Sequence, residues 1–142
     1  TFSKAYALAG LRVGFAVADE GLIAVMERVR ESFNVNALGL VAAEAALADV
    51  DHLQASIAGN GAQREALADA LRARGMKVAP SQTNFLLVEF GDHSSRIEAR
   101  LVGRGVVLRP MGGYGLGECL RITVGTEAEN QRLLAALDEV MK

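Results

Sequence analysis

Apolar and polar positions change period several times along the chain, and each change predicts an element. From Leu11 to Ala18 the apolar residues alternate, with Val13, Phe15 and Val17 on one face, which predicts a sheet strand. Asp19 is placed to cap a helix running to about Glu31. Its residues Leu22, Met26 and Val29 recur at helical spacing, and Ile23 and Val25 widen the stripe. Ser32 to Asn36 is a polar break in which Asn34 and Asn36 suit a turn and a cap. Ala37 to Ala48 is alanine-rich and apolar nearly all round, which predicts a helix that is buried or packed at an interface. Asp49, Asp51 and His52 mark a hinge. A helical stretch then runs from about Leu53 to Arg74 and is closed by Gly75 in a left-handed conformation. Gly59 and Gly61 lie inside it, each costing about 1 kcal/mol relative to alanine. That predicts either one long helix with a weak middle or two helices meeting there.

Beyond Gly75 the elements are shorter. Lys77 to Ala79 is a short strand ended by Pro80, and Asn84 to Phe90 is apolar enough to be a strand buried on both faces. Ser95 and Glu98 have the spacing of a capping box. They predict a helix to about Arg104 that buries Ile97, Leu101 and Val102, with Gly105 ending it. Val106 to Leu108 is a further strand, Gly112 to Gly117 a flexible glycine loop, and Leu120 to Val124 the last strand. Thr126 and Glu129 form a second capping box for a final helix burying Leu133, Leu134, Leu137, Val140 and Met141. The pattern predicts an α/β chain whose later part has a mostly antiparallel sheet with helices on one side.

Composition narrows what such a chain does. Its 142 residues suffice for an ordinary core, and 51% hydrophobic with 23% charged residues reads as soluble and globular. A net charge of −2 gives no nucleic-acid footprint and no membrane patch. No apolar run approaches the roughly 20 residues of a membrane span. One cysteine, Cys119, allows no internal disulfide and points to a reducing compartment, the cytoplasm. His52 and His93 are far apart and have no carboxylates at ligand spacing, so no metal site is expected. Cys119 reads as a structural thiol, and Tyr6 and Tyr114 as pocket-lining or packing residues.

Chemistry concentrates at the start, in Thr1-Phe2-Ser3-Lys4-Ala5-Tyr6-Ala7-Leu8-Ala9-Gly10-Leu11-Arg12-Val13-Gly14-Phe15. A buried lysine has a lowered pKa, and its neutral amine condenses with an aldehyde. An arginine held nearby offers a planar fork for a phosphate. Aldehyde and phosphate on one small molecule describe pyridoxal phosphate.

This segment resembles that of the fold-type I, class I/II aminotransferases, whose reactive lysine lies in a run like Thr-x-Ser-Lys-x-x-x-Leu-Ala-Gly-Leu-Arg-x-Gly. The likeness is strongest to the histidinol-phosphate aminotransferases. It implies that Lys4 joins the cofactor aldehyde and shuttles the proton, and that Thr1, Ser3 and Arg12 hold the cofactor phosphate. It implies the PLP-dependent transferase fold, with residues 1–50 the end of the large cofactor-binding domain and 51–142 the small C-terminal domain. The family is about two and a half times as long. Because the chain lacks an initiating methionine, it is expected to be the C-terminal part of a longer enzyme, inactive in isolation.

A second run, Leu108-Arg109-Pro110 followed by Leu120-Arg121-Ile122-Thr123-Val124-Gly125, also resembles the family. An arginine inside an apolar strand is rarely left unpaired. Arg121 is therefore either in a structural ion pair or an anion site, and Arg109 is either a clamp partner or an exposed loop residue. The resemblance implies that both bind the anionic end of the substrate. The implied reaction is amino transfer from L-histidinol phosphate to 2-oxoglutarate by a cytoplasmic homodimer in histidine biosynthesis. An aromatic aminotransferase and a phosphothreonine decarboxylase are the related alternatives. A non-catalytic folded fragment and an unrelated α/β binding module that happens to carry Ser-Lys are those of another class.

Overall fold

The computed structural model describes all residues, Thr1–Lys142. The chain divides into two compact units, Thr1–Ile57 and Ala58–Lys142. The division falls inside one helix, Val50–Ala73.

The first unit begins with an irregular segment that contains a single 3-10 turn, Ala9–Leu11. The strand expected over Leu11 to Ala18 does not form. A strand exists only through ladder bonds to a neighbour, and this stretch makes one bridge, from Phe2 N–H to the Val13 carbonyl at 3.1 Å. Val13 is buried, while Phe15 and Val17 are exposed. Helix α1 spans Glu20–Val29, with the Asp19 carboxylate accepting from Gly21 N–H at 2.8 Å. Helix α2 spans Ala37–Ala48, and Asn36 caps it by accepting from Gly39 N–H at 2.7 Å. The Asn36 side chain also donates to the Leu11 carbonyl, tying the cap to the first segment. The buried core of this unit is small: Phe2, Val13 and Ala43, with Tyr6, Leu8, Leu11 and Val35 packed around them. Leu22, Val25, Met26 and Val29 of α1 and Leu38, Leu40, Val41 and Leu47 of α2 are exposed. The apolar faces of both helices are thus uncovered by this chain.

Helix α3, Val50–Ala73, is continuous, so the glycines at 59 and 61 weaken it without dividing it. Gly75 ends it at φ +82°, and Met76 N–H reaches back to the Leu71 carbonyl. In the second unit, strand β1 (Lys77–Val78), strand β2 (Phe85–Glu89), helix α4 (Ser94–Val102), strand β3 (Arg109–Pro110), strand β4 (Cys119–Thr123) and helix α5 (Glu127–Val140) follow. The four strands form one sheet in the order β1-β2-β4-β3, with every pair antiparallel.

One face of that sheet is the core. Leu86 and Val88 of β2 and Leu120 and Ile122 of β4 are buried with Leu67 and Leu71 of α3, Leu101 of α4, and Leu133 and Leu137 of α5. Each such side chain contributes about 1.5–3 kcal/mol of burial free energy. Strand β2 is therefore not buried on both faces. It alternates, and Phe85, Leu87 and Glu89 lie on the half-covered side with Cys119 and Arg121.

Three further expectations fail for local reasons. Ser95 is not a cap: a 3-10 turn, Gly91–His93, runs straight into α4, so Ser95 already lies within the helix. Its neighbour Ser94 donates to the Gly117 carbonyl at 2.7 Å instead. Val102, expected inside, is half-exposed, as is Met141, which lies just past the end of α5. The strand expected at Val106 to Leu108 starts later, at Arg109, because the ladder to β4 begins there. The second capping box forms as expected: the Glu129 carboxylate accepts from Thr126 N–H at 2.8 Å, and Thr126 Oγ1 accepts from Glu129 N–H.

Candidate functional site

In the first unit the site is built around Phe2. Its ring is buried against Tyr6 at 4.9 Å and Phe15 at 6.0 Å between centroids. Its N–H bonds the Val13 carbonyl and its carbonyl accepts from Leu8 N–H at 3.0 Å. These two bonds place Thr1 and Ser3 beside Arg12 to Gly14 and pull Lys4 to Leu8 into a loop. Thr1 Oγ1 donates to Ser3 Oγ at 2.9 Å and accepts from Ser3 N–H at 3.3 Å. A β-carbon on Gly14 would sit 3.5 Å from Thr1 Cα, so the two backbones run in close contact there.

Lys4 is exposed, which corrects the expectation of a buried lysine. The loop is anchored by buried Phe2 and Val13, with Tyr6 and Leu8 packed against them, while the Lys4 side chain stays outside that cluster. Lys4's carbonyl accepts from Ala7 N–H at 2.8 Å, closing the turn that presents the side chain. Arg12 is exposed as well. Its guanidinium donates to the Ala9 carbonyl at 2.7 Å and is in no ion pair. Ala7 and Arg12 both have left-handed backbones, at φ +58° and +56°. Non-glycine residues held there store strain, and such strain collects at functional loops. Within one loop the chain thus presents a primary amine, two hydroxyls and a guanidinium with no carboxylate partner. That donor set fits a phosphorylated aldehyde: the hydroxyls and guanidinium suit a phosphate, and the amine suits the carbonyl.

In the second unit, Arg109 and Arg121 are direct cross-strand partners in the β3–β4 ladder. Neither forms an ion pair, so the structural salt bridge weighed for Arg121 is absent. Arg121 Cζ lies 4.9 Å from the centroid of the Phe85 ring, and its Nε is buried without a hydrogen-bond partner. Arg109 is exposed, with Cζ 5.9 Å from the Tyr114 ring and a nitrogen 3.4 Å from the Tyr114 hydroxyl. The glycine loop between them is closed by its own backbone. Tyr114 N–H bonds the Met111 carbonyl at 2.9 Å, Gly115 N–H the Gly112 carbonyl at 3.0 Å, and Cys119 N–H the Leu116 carbonyl at 3.0 Å. Burial pushes the Cys119 thiol pKa up, and Glu89 and Glu118 push it further, so the thiolate is disfavoured.

Sequence reasoning missed Phe2 and Phe85. Phe2 is recognisable only through its two long-range backbone bonds. Phe85 had one available signal: it begins an alternating strand, but which side chain it would meet depends on register.

The family model for aminotransferase class I and II matches residues 1–137. The chain is 48% identical to histidinol-phosphate aminotransferase 1 of Thiobacillus denitrificans, over 99% of this chain and 36% of that protein. It is 46% identical to histidinol-phosphate aminotransferase 1 of Nitrosococcus oceani, over 100% of this chain and 38% of that protein. The chain therefore spans somewhat over a third of the length of these curated relatives. Among solved structures it superposes on histidinol-phosphate aminotransferase from Sinorhizobium meliloti in complex with pyridoxal-5'-phosphate. That match has a TM-score of 0.90 and 36% identity, covering 99% of this chain and 40% of that one. Its fold is accordingly that of the PLP-dependent aminotransferases, and the chain belongs to the class I and II aminotransferases.

Proposed function

We propose that these residues serve in a pyridoxal-phosphate-dependent aminotransferase that moves the amine of L-histidinol phosphate to 2-oxoglutarate, a step of histidine biosynthesis. In this reading the enzyme works as a cytoplasmic homodimer. Residues 1–50 belong to its large cofactor-binding domain and 51–142 form its small domain. The compact units divide a little later, between Ile57 and Ala58. No helix is long and apolar enough to cross a membrane.

One observation carries the substrate class. Arg109 and Arg121 face each other across a ladder with no carboxylate on either. Like charges directly opposite destabilise a sheet, and an anion between them removes that cost. A donor with a phosphate supplies such a group, and a dianion gains more from two guanidinium forks than a carboxylate does.

The roles of the other residues follow from their chemistry. Thr1 and Ser3 donate hydroxyl hydrogens to the cofactor phosphate, and Arg12 adds a planar, charged fork. When bound, pyridoxal phosphate supplies an aldehyde for amines and an electron sink for the carbon that carries them. Lys4 Nζ, once its amine is free and neutral, takes the proton from that carbon and returns it elsewhere. The arginines fix the donor's far end, which lowers the orientational cost of aligning the bond to be broken.

The test is steady-state kinetics on the full-length protein. Lys4→Ala is expected to reduce turnover by at least about a thousandfold, within the range lost when a general acid–base group is removed. Arg121→Gln is expected to raise KM for L-histidinol phosphate more than for a donor without the phosphate. Retained turnover in Lys4→Ala contradicts its role, and equal effects on both donors contradict the phosphate assignment.

A further inference from the structure

Arginines inside sheets are ordinarily held by a carboxylate, and Arg121 is not. The nearest acidic candidate on its face of the sheet is Glu89, two positions from Leu87, the residue opposite Arg121. Glu89 is already taken: Lys77, its own cross-strand partner in β1, donates to it at 2.8 Å. What Arg121 does have is the ring of Phe85, with Cζ over it at 4.9 Å from the centroid. Phe85 pairs with Thr123, so ring and guanidinium are diagonal neighbours on the same face.

We propose that Phe85 is a positioning residue that holds the Arg121 guanidinium for the substrate anion in place of a carboxylate. The inference rests on the reading of Arg121 as an anion-binding residue. A carboxylate would fix the guanidinium equally well, but it would neutralise the charge and occupy its donors. An aromatic face attracts the cation through its quadrupole without neutralising it or accepting its in-plane N–H bonds. Tyr114 lies beside Arg109 with its ring 5.9 Å from Cζ, and there the hydroxyl also accepts one guanidinium N–H at 3.4 Å. Each arginine of the facing pair therefore has an aromatic support and no acidic one.

The experiment is a double-mutant cycle on the full-length enzyme, reading KM for the anionic donor against kcat. Phe85→Leu keeps apolar bulk and removes the ring face. It is expected to raise KM about tenfold, the scale of a partly desolvated cation–π contact, with kcat much less affected. Phe85→Tyr keeps the face and restores KM towards the wild-type value. In an Arg121→Gln background, Phe85→Leu is expected to change KM by less than about twofold, because the group it positions is gone. Should Phe85→Leu fold poorly, pentafluorophenylalanine at position 85 keeps the shape and reverses the quadrupole, and it too is expected to raise KM. The proposal is overturned if the Phe85→Leu effect is as large in the Arg121→Gln background, or if the fluorinated ring leaves KM unchanged. Failure of the anion reading itself looks different: Arg121→Gln alone would then leave KM unchanged.

Discussion

Single side chains carry most of the testable energetics of this chain. Leu137 and Leu71 are fully buried in the core of the second unit. Truncating either to alanine removes packing and leaves a cavity, at a cost of about 2–5 kcal/mol. Chemical denaturation of Leu137→Ala should show a midpoint shift of that size with little change in slope. Gly125 is constrained in a different way. A β-carbon there would sit 2.9 Å from both Glu129 Cβ and Glu129 Oε2, inside the capping box. Gly125→Ala should therefore destabilise through the cap, and a Glu129→Ala background, which removes the carboxylate but keeps the β-carbon, should relieve only part of the penalty. The same carboxylate gives a pH signature. Backbone and side-chain bonds from Thr126 hold the Glu129 pKa below its ordinary value of 4.5. The hydrogen bonds and charge of Arg74 hold Asp138 below 3.8. Both groups are depressed in the folded state. Their stabilisation is therefore complete above the ordinary values and is lost as pH falls through the lowered ones. Melting temperature should fall on acidification below about pH 4.5, and Glu129→Gln should flatten that dependence. A melting curve equally steep in the variant would remove Glu129 from the effect.

Elements show why some of this was legible in advance and some was not. Caps are short-range: Asp19, Asn36 and the Thr126–Glu129 box each act within three residues, and all were readable from local spacing. Ser95 misled because its capping pattern was overridden by the 3-10 turn entering α4 from Gly91. Strands are harder, since alternation at Val13, Phe15 and Val17 says nothing about whether a partner exists. The site divides along the same line. The candidates Lys4, Thr1, Ser3 and Arg12 lie in one short motif and could be proposed from it alone. The facing of Arg109 and Arg121, and the ring under Arg121, depend on a register no local pattern reveals. Helix α2 tests the local argument: Asn36 caps it and also bonds the Leu11 carbonyl. Asn36→Ala should cost about 1 kcal/mol from the cap, and Asn36→Asp should recover most of it, because the lost amide hydrogen serves only the Leu11 bond.

At the scale of the whole chain, the two units differ in how much they bury. The second has a continuous core of leucine, isoleucine and valine from three helices and a sheet. The first buries Phe2, Val13 and Ala43, while the apolar faces of α1 and α2 remain exposed. Opening free energy follows buried apolar contact. Amide exchange in this 142-residue chain should accordingly be fast in α1 and α2 and slow in β2, β4 and α5. Uniform protection across both units would contradict that ordering.

The central claim is that Lys4 is the residue that meets the cofactor. The most direct measurement is borohydride reduction of the full-length protein with pyridoxal phosphate, followed by peptide mass mapping. This stretch has three lysines, Lys4, Lys77 and Lys142, so the outcome is unambiguous within it. The account predicts one phosphopyridoxyl group, on the peptide containing Lys4, and none on that peptide in Lys4→Ala. Labelling at Lys77 or Lys142 instead, or no labelling of these residues at all, would contradict it.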